Sequence, residues 1–361
     1  MLAKARQFAA RHVRAIVGSL VLLVAFGWVL RAGGLPLLPP AGALKSLDLA
    51  YFSGFVLLMF VHMGLRFLRY SYLIRSFANV GLRRILTINA IALALITFLP
   101  LRLGEVSRPA MLRERGHVSA WAVAGTVGAE RIIDGVVFSL MLLLGGLVAV
   151  PHEPLPTHIG DLPIPPRLVT QGGKVAGLIF GAAFLVMALF YWYRELARNI
   201  TEKLLGVVSR RLAERVAEIV GRLSDGLRFL VNPRDTSLYL LVTFLSIAAN
   251  VWAIEMLAHA AGIPELTFAQ TSVVLGLLAL GFGLPNAPGF FGSVQLALYA
   301  GLAAYIAPEK VSREGSVLVF LFYVTYLAIV VLLGAISAVV ESVAAPSSGG
   351  GQAGQSQSVI P

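Results

Sequence analysis

Stretches long and apolar enough to cross a bilayer recur along the whole of this chain, and they limit its folding more than any other feature. A helical crossing of the ~30 Å hydrocarbon core needs about 20 mostly apolar residues. Runs at 15–36, 49–74, 118–150, 174–193, 236–259 and 315–340 meet that length or come close. The remainder cannot supply a soluble surface, because only 13% of all residues are charged and 58% are hydrophobic. A soluble domain carries about 25% charged residues, and monomers in water avoid large exposed apolar patches. The chain therefore reads as an all-α polytopic membrane protein of the bacterial inner-membrane type, with about six full spans, and not as a soluble enzyme. Lys4, Arg6, Arg11 and Arg14 precede the run Ala15–Leu30 as they would in a signal peptide. No small-x-small cleavage site follows, so this run is expected to stay as the first span.

The basic residues give an orientation. Residues 1–14, 66–84, 102–115 and 194–234 hold 22 of the 29 Lys and Arg, whereas the alternate loops hold six and Arg131 lies inside an apolar run. The positive-inside rule places the basic N-terminus 1–14, the 66–84 turn and the 194–234 segment in the cytoplasm. The net charge of +11 is thus explained by an anionic leaflet and needs no nucleic acid. Residues 194–234 repeat Leu196, Ile200, Leu204, Val208, Leu212, Val216, Ile219, Leu223, Leu227 and Leu230 among Arg and Glu. That spacing predicts an amphipathic helix on the membrane surface or packed under the bundle. A solvated linker helix fits the pattern as well. Residues 341–361 form the C-terminal tail, low in complexity from Ala344 and expected to be disordered and cytoplasmic.

Two short apolar stretches break the alternation of sides. Ile85–Leu99 ends at Pro100 and lies between two basic segments, so 85–116 is expected to enter and leave on the cytoplasmic side. Phe268–Leu284 ends at Pro285, and by the same count 268–306 enters and leaves from outside. Leu99-Pro100-Leu101-Arg102-Leu103-Gly104 can be laid on Leu284-Pro285-Asn286-Ala287-Pro288-Gly289, followed by Gly292. Proline ends a helix and glycine permits the return. The expectation is two re-entrant hairpins in an inverted repeat, 15–150 and 174–340. Transporters use this plan to build a midplane substrate site. Coincidental Pro-Gly loops between ordinary spans are the plainer alternative.

Charge inside the apolar runs is the chemical signal. Glu130, Arg131 and Asp134 interrupt a long apolar helix, where each ionised group costs about 2.5–3.5 kcal/mol. Glu130 and Asp134 share a helix face, and Arg131 is expected to reach Asp134. Glu105 adds a further carboxylate, so another cation is wanted, and Arg102 or Arg108 from the first hairpin is expected to supply it. Two readings of this cluster stand: a polar cavity for a lipid headgroup, or an ion-pair lock between hairpin and helix. His62, Arg66 and Arg69 lie on one helix face, the two arginines reading as snorkelling anchors with lipid-phosphate contact as the alternative. Asn250, Glu255 and Gln295 are weaker polar marks. His152, Glu153, His158 and Asp161 share a Pro-rich loop that reads as a solvated connection. With no cysteine and no HExxH pair, no metal site is expected, and no cofactor motif is visible.

Residues 99–108, then Glu130-Arg131-Ile132-Ile133-Asp134, then 284–292 resemble the lysylphosphatidylglycerol synthase transmembrane-region family, also called the flippase-like domain family. The resemblance covers about 15–340. It implies a membrane domain of the kind that moves an aminoacylated phospholipid between leaflets while a separate soluble domain makes it. The short tail leaves no room for that synthase, so a standalone member is expected. The second hairpin departs from the family's Pro-x-x-Pro-Gly-Gly-x-Gly form at Phe290.

The leading functional reading is a translocator of a phospholipid or lipid-linked envelope intermediate. No Walker-type loop is present, so gradients or mass action would drive it. The second reading is an accessory scaffold for an envelope glycosyltransferase or lipid synthase, docked through 194–234. The third is an intramembrane enzyme using Glu105, Glu130 or Asp134, although no nucleophile accompanies them.

Overall fold

The computed structural model describes residues 17, 20–99, 104–116, 118–151, 158–159, 161–163, 167–193, 195, 210–283 and 287–343. In chain order the helices are α1 Leu20–Ala32, α2 Leu49–Arg75, α3 Leu82–Phe98, α4 Ser107–Gly116, α5 Ala120–Val148 and α6 Arg167–Trp192. They continue with α7 Arg210–Asp225, α8 Pro233–Ala260, α9 Phe268–Gly283, α10 Ser293–Ala303 and α11 Ser316–Val343. Strand pairing among the described residues is confined to a two-residue ladder, His158–Ile159 against Leu162–Pro163.

Five helices are long and apolar enough to cross a membrane: α2, α5, α6, α8 and α11 with its lead-in from Pro308. They fall on five of the six expected runs. The sixth run, 15–36, yields only the shorter α1 among the described residues. The long helices are inside-out by soluble standards. Leu147, Leu178 and Trp252 face outward, while Arg69, Glu130, Thr126 and Thr243 are buried. Backbone satisfied within each helix and polar side chains turned inward suit an apolar solvent. The protein is a polytopic membrane protein.

Helix starts follow local chemistry. Asp48 accepts from the Ala50 and Tyr51 amides at 2.8 and 3.3 Å to cap α2. Asn232 caps α8 ahead of Pro233, the one residue with no amide to satisfy at that position. At α9, Thr267 and Gln270 exchange side-chain and backbone bonds reciprocally.

Three antiparallel pairings build the core. α2 runs against α8, with Asp48 N bonded to Ala260 O and His62 meeting Ser246. α3 runs against α11, where Thr87 donates to Glu341 at 2.6 Å and Gly334 faces Ala94. α5 runs against α9, where Gly145 faces Ser272 and Gly276 faces Leu142. Small residues at two of these contacts let backbones close up, as membrane helix packing requires.

Two boundaries differ from the sequence reading. The amphipathic helix stops at Asp225 and does not run to 234; a turn at Gly226 and a 3-10 segment, Arg228–Val231, follow. An added Cβ at Gly226 would collide with the Ala122 carbonyl, and one at Gly125 with the Leu223 carbonyl. This close seating of α7 on the start of α5 forces the bend, and residues 196–209 lie outside the described residues. At the other end, α11 continues to Val343 with Glu341 buried, so the first three residues of the expected tail are helical. The rest of the tail and residues 1–14 lie outside the described residues.

Candidate functional site

Glu130 and Asp134, four residues apart on α5, point to the same side, and α2 brings Arg69 between them. Its guanidinium grips Asp134 with two nitrogens at 2.5 and 2.6 Å and reaches Glu130 at 2.8 Å. Arg108, near the start of α4, takes the other Glu130 oxygen at 2.6 Å. The Arg69 and Glu130 side chains are 6% and 3% exposed, so this is a desolvated network in which charge-assisted bonds are strong and every member is committed. Arg108 also lies 4.4 Å over the Tyr70 ring, and Arg69 lies 5.6 Å over Tyr239. Tyr70 is itself fixed by Thr126 at 2.9 Å.

The expected partners are rearranged. Arg108 does supply a cation to the α5 carboxylates; Arg102 lies outside the described residues. Arg131 does not bind Asp134. It points to Glu105 at 3.6 Å and stays about a third exposed, because Arg69 already saturates Asp134 with better geometry. Arg69 is no snorkelling anchor either: a side chain near the C-terminal end of one helix has been drawn inward by two carboxylates on another.

Beside the network opens a cavity of about 420 Å³, in the range of small-molecule sites, about 300–1,000 Å³. Its polar lining includes His62, Arg66, Arg69, Glu105, Arg131 and Asp134, and its apolar lining includes Phe138, Phe180, Leu275, Leu280, Phe282 and Phe290. Both expected hairpins reach it, the first through Leu93, Ile96 and Glu105 and the second through Leu275, Phe282 and Phe290. Ser246 fixes His62, its carbonyl 2.8 Å and its hydroxyl 3.0 Å from Nδ1. Asn250 lines the wall as well. Glu255 is only partly buried on α8 and is absent from the lining.

The hairpin turns explain their glycines. At Gly104 a Cβ would overlap the Leu95 and Ile96 backbone of the preceding helix, so only glycine lets the chain return. Pro100 and Pro285 lie outside the described residues. In the second turn Pro288 opens a 3-10 segment, and Gly289 and Gly292 take φ of 74° and 85°. Gln295 accepts from the Gly292 amide at 2.7 Å. Phe290 has φ 56°, a left-handed geometry that costs a bulky residue about 1–2 kcal/mol. Its ring stands edge-on to Phe282 at 4.9 Å and forms part of the cavity wall. The departure from glycine at this position thus trades backbone ease for an aromatic wall.

The pairing of Arg69 with the carboxylates and the four phenylalanines of the lining were not foreseen, and lipid-phosphate contact by Arg66 and Arg69 was only the alternative to snorkelling. His62, Arg66 and Arg69 do share one α2 face at i, i+4 and i+7, which is the signal that could have joined them to the carboxylates. Among the described residues no group of three or more His, Asp or Glu is placed to hold a metal ion. The model of one protein family, described as "Lysylphosphatidylglycerol synthase TM region", matches residues 15–334. No curated protein and no solved structure matches the chain.

Proposed function

Because the chain belongs to the lysylphosphatidylglycerol synthase transmembrane-region family, we propose that it is a translocator, carrying a phospholipid or lipid-linked envelope intermediate across a bacterial inner membrane. The observation that carries this reading is the cavity lined by both ionic and aromatic side chains, reached by segments of both hairpins. A lipid has the same two-part chemistry at its headgroup and acyl boundary. The Arg69–Glu130–Asp134 network with Arg108 is then both lock and floor: it holds α2, α4 and α5 together and sets the field of the cavity.

The packing supports an inverted repeat with re-entrant hairpins. Setting α2–α5 on α8–α11 in order, the contact of α3 with α11 exchanges with that of α9 with α5, and the antiparallel α2–α8 pair maps on itself. A pseudo-two-fold axis in the membrane plane between α2 and α8 produces this pattern. The sidedness of Lys and Arg then puts both termini and α7 in the cytoplasm.

The test is leaflet exchange of fluorescent phospholipids in liposomes. Wild type is expected to exchange lipid, and Glu105→Gln and Asp134→Asn, each confirmed folded, are expected to lose it. No exchange across a broad lipid panel removes the translocator reading and favours a scaffold docked through α7.

A further inference from the structure

The cavity's charges do not balance, and the imbalance names a headgroup class. Glu130 is held by Arg69 and Arg108, Asp134 by Arg69, and Glu105 faces Arg131. Every carboxylate of the cluster therefore already faces a protein cation. Arg66 is different: it lines the cavity and makes no ion pair among the described residues. Among the described residues four arginines (Arg66, Arg69, Arg108, Arg131) stand against three acids (Glu105, Glu130, Asp134), an excess of one positive charge. An ammonium entering here finds no free carboxylate and meets a guanidinium, whereas an anion meets a planar donor fork suited to phosphate oxygens.

We infer that the cavity takes a headgroup of net negative charge, a phosphate ester without a compensating ammonium, and that Arg66 is the side chain that meets it. The inference rests on the translocator reading for its location and separates from it in its test. It also runs against the cationic headgroup that the family's description would suggest.

The experiment is native mass spectrometry of the full chain with equimolar phosphatidylglycerol, phosphatidylethanolamine and lysyl-phosphatidylglycerol, scoring the retained lipid. Wild type is expected to favour phosphatidylglycerol over the lysyl lipid by about tenfold, the scale of one charge-assisted bond. Arg66→Gln is expected to abolish the preference and Arg66→Glu to reverse it. Arg222→Gln on α7 should leave it unchanged. Equal or better retention of the lysyl lipid by wild type, or an unaltered preference in both Arg66 variants, overturns the inference. Loss of phosphatidylglycerol to millimolar glycerol 3-phosphate overturns the lipid source and assigns the site to a soluble phosphate ester. Leaflet exchange is scored apart. Selective retention without exchange upholds the inference and removes the translocator, while exchange without headgroup preference does the reverse.

Discussion

The two helix–turn–helix segments that meet at the cavity are held in opposite ways. The return helix of the first, α4, is tied by charge, with Arg108 inserted between Glu130 and the Tyr70 ring. The second, α9 with α10, is held by close apolar contact: an added Cβ at Gly281 would lie 2.8 Å from Ala297, and one at Gly301 3.0 Å from Val274. Charge pairing is directional and fails abruptly when one partner goes, whereas small-residue packing is spread over many close contacts. One segment is thus held by a few directional bonds and the other by close packing along its length.

The sharpest way to break this contrast is at Arg69. Arg69→Met strands Asp134 and leaves Glu130 with Arg108 alone, and is expected to cost about 3–5 kcal/mol, seen as loss of a cooperative melt in detergent. Adding Asp134→Asn should restore part of it, because the carboxylate left without a cation is neutralised. Next in size is Gly281→Leu, where overpacking is expected to cost about 1–3 kcal/mol and to spread α9 from α10, read by the same melt and by cysteine accessibility along α10. A finer cut compares Phe290→Gly with Phe290→Ala. Both lose the ring, but glycine relieves the left-handed backbone, so it should melt higher by about 1 kcal/mol. If alanine matches glycine, the backbone at 290 is not strained.

The smallest effect belongs to Lys310 and Glu265, a surface pair at 2.5 Å that joins the two ends of the second segment. Burial pushes the Glu265 carboxyl up, but the Lys310 hydrogen bond, its own backbone amide and the charges of Lys310 and His259 together outweigh it, leaving the group below its ordinary value. Stability from this pair is therefore present above the ordinary carboxylate range and lost as pH falls through the lowered value. Lys310→Gln should flatten that acid limb slightly, as exposed pairs contribute little.

The spans and the α5 carboxylates were legible because apolar length and charge in apolar runs are properties of one helix. Arg108 was legible too, since the sequence demanded a cation and the hairpin offered one. Arg69 was not: near the end of a span an arginine ordinarily reaches for water, and only the tertiary approach of α5 makes the inward path better. The stop at Asp225 escaped for a related reason. Leu227 and Leu230 keep the apolar spacing, and Leu227 is buried although the chain there is no longer an α-helix. Periodicity records which side chains face the core, not whether the backbone carrying them stays straight.

The Arg69 clasp also bears on how the chain is made. Arg69 leaves the ribosome 61 and 65 residues before Glu130 and Asp134. At roughly 5–20 residues per second, that is an interval of about 3–13 s. During that time α2 must wait beside the translocation channel with a guanidinium and no counter-charge. A nascent chain stopped before α5 therefore presents a cation-bearing helix to the membrane quality-control machinery, and arrival of α5 is the moment at which the first half becomes a stable resident of the bilayer.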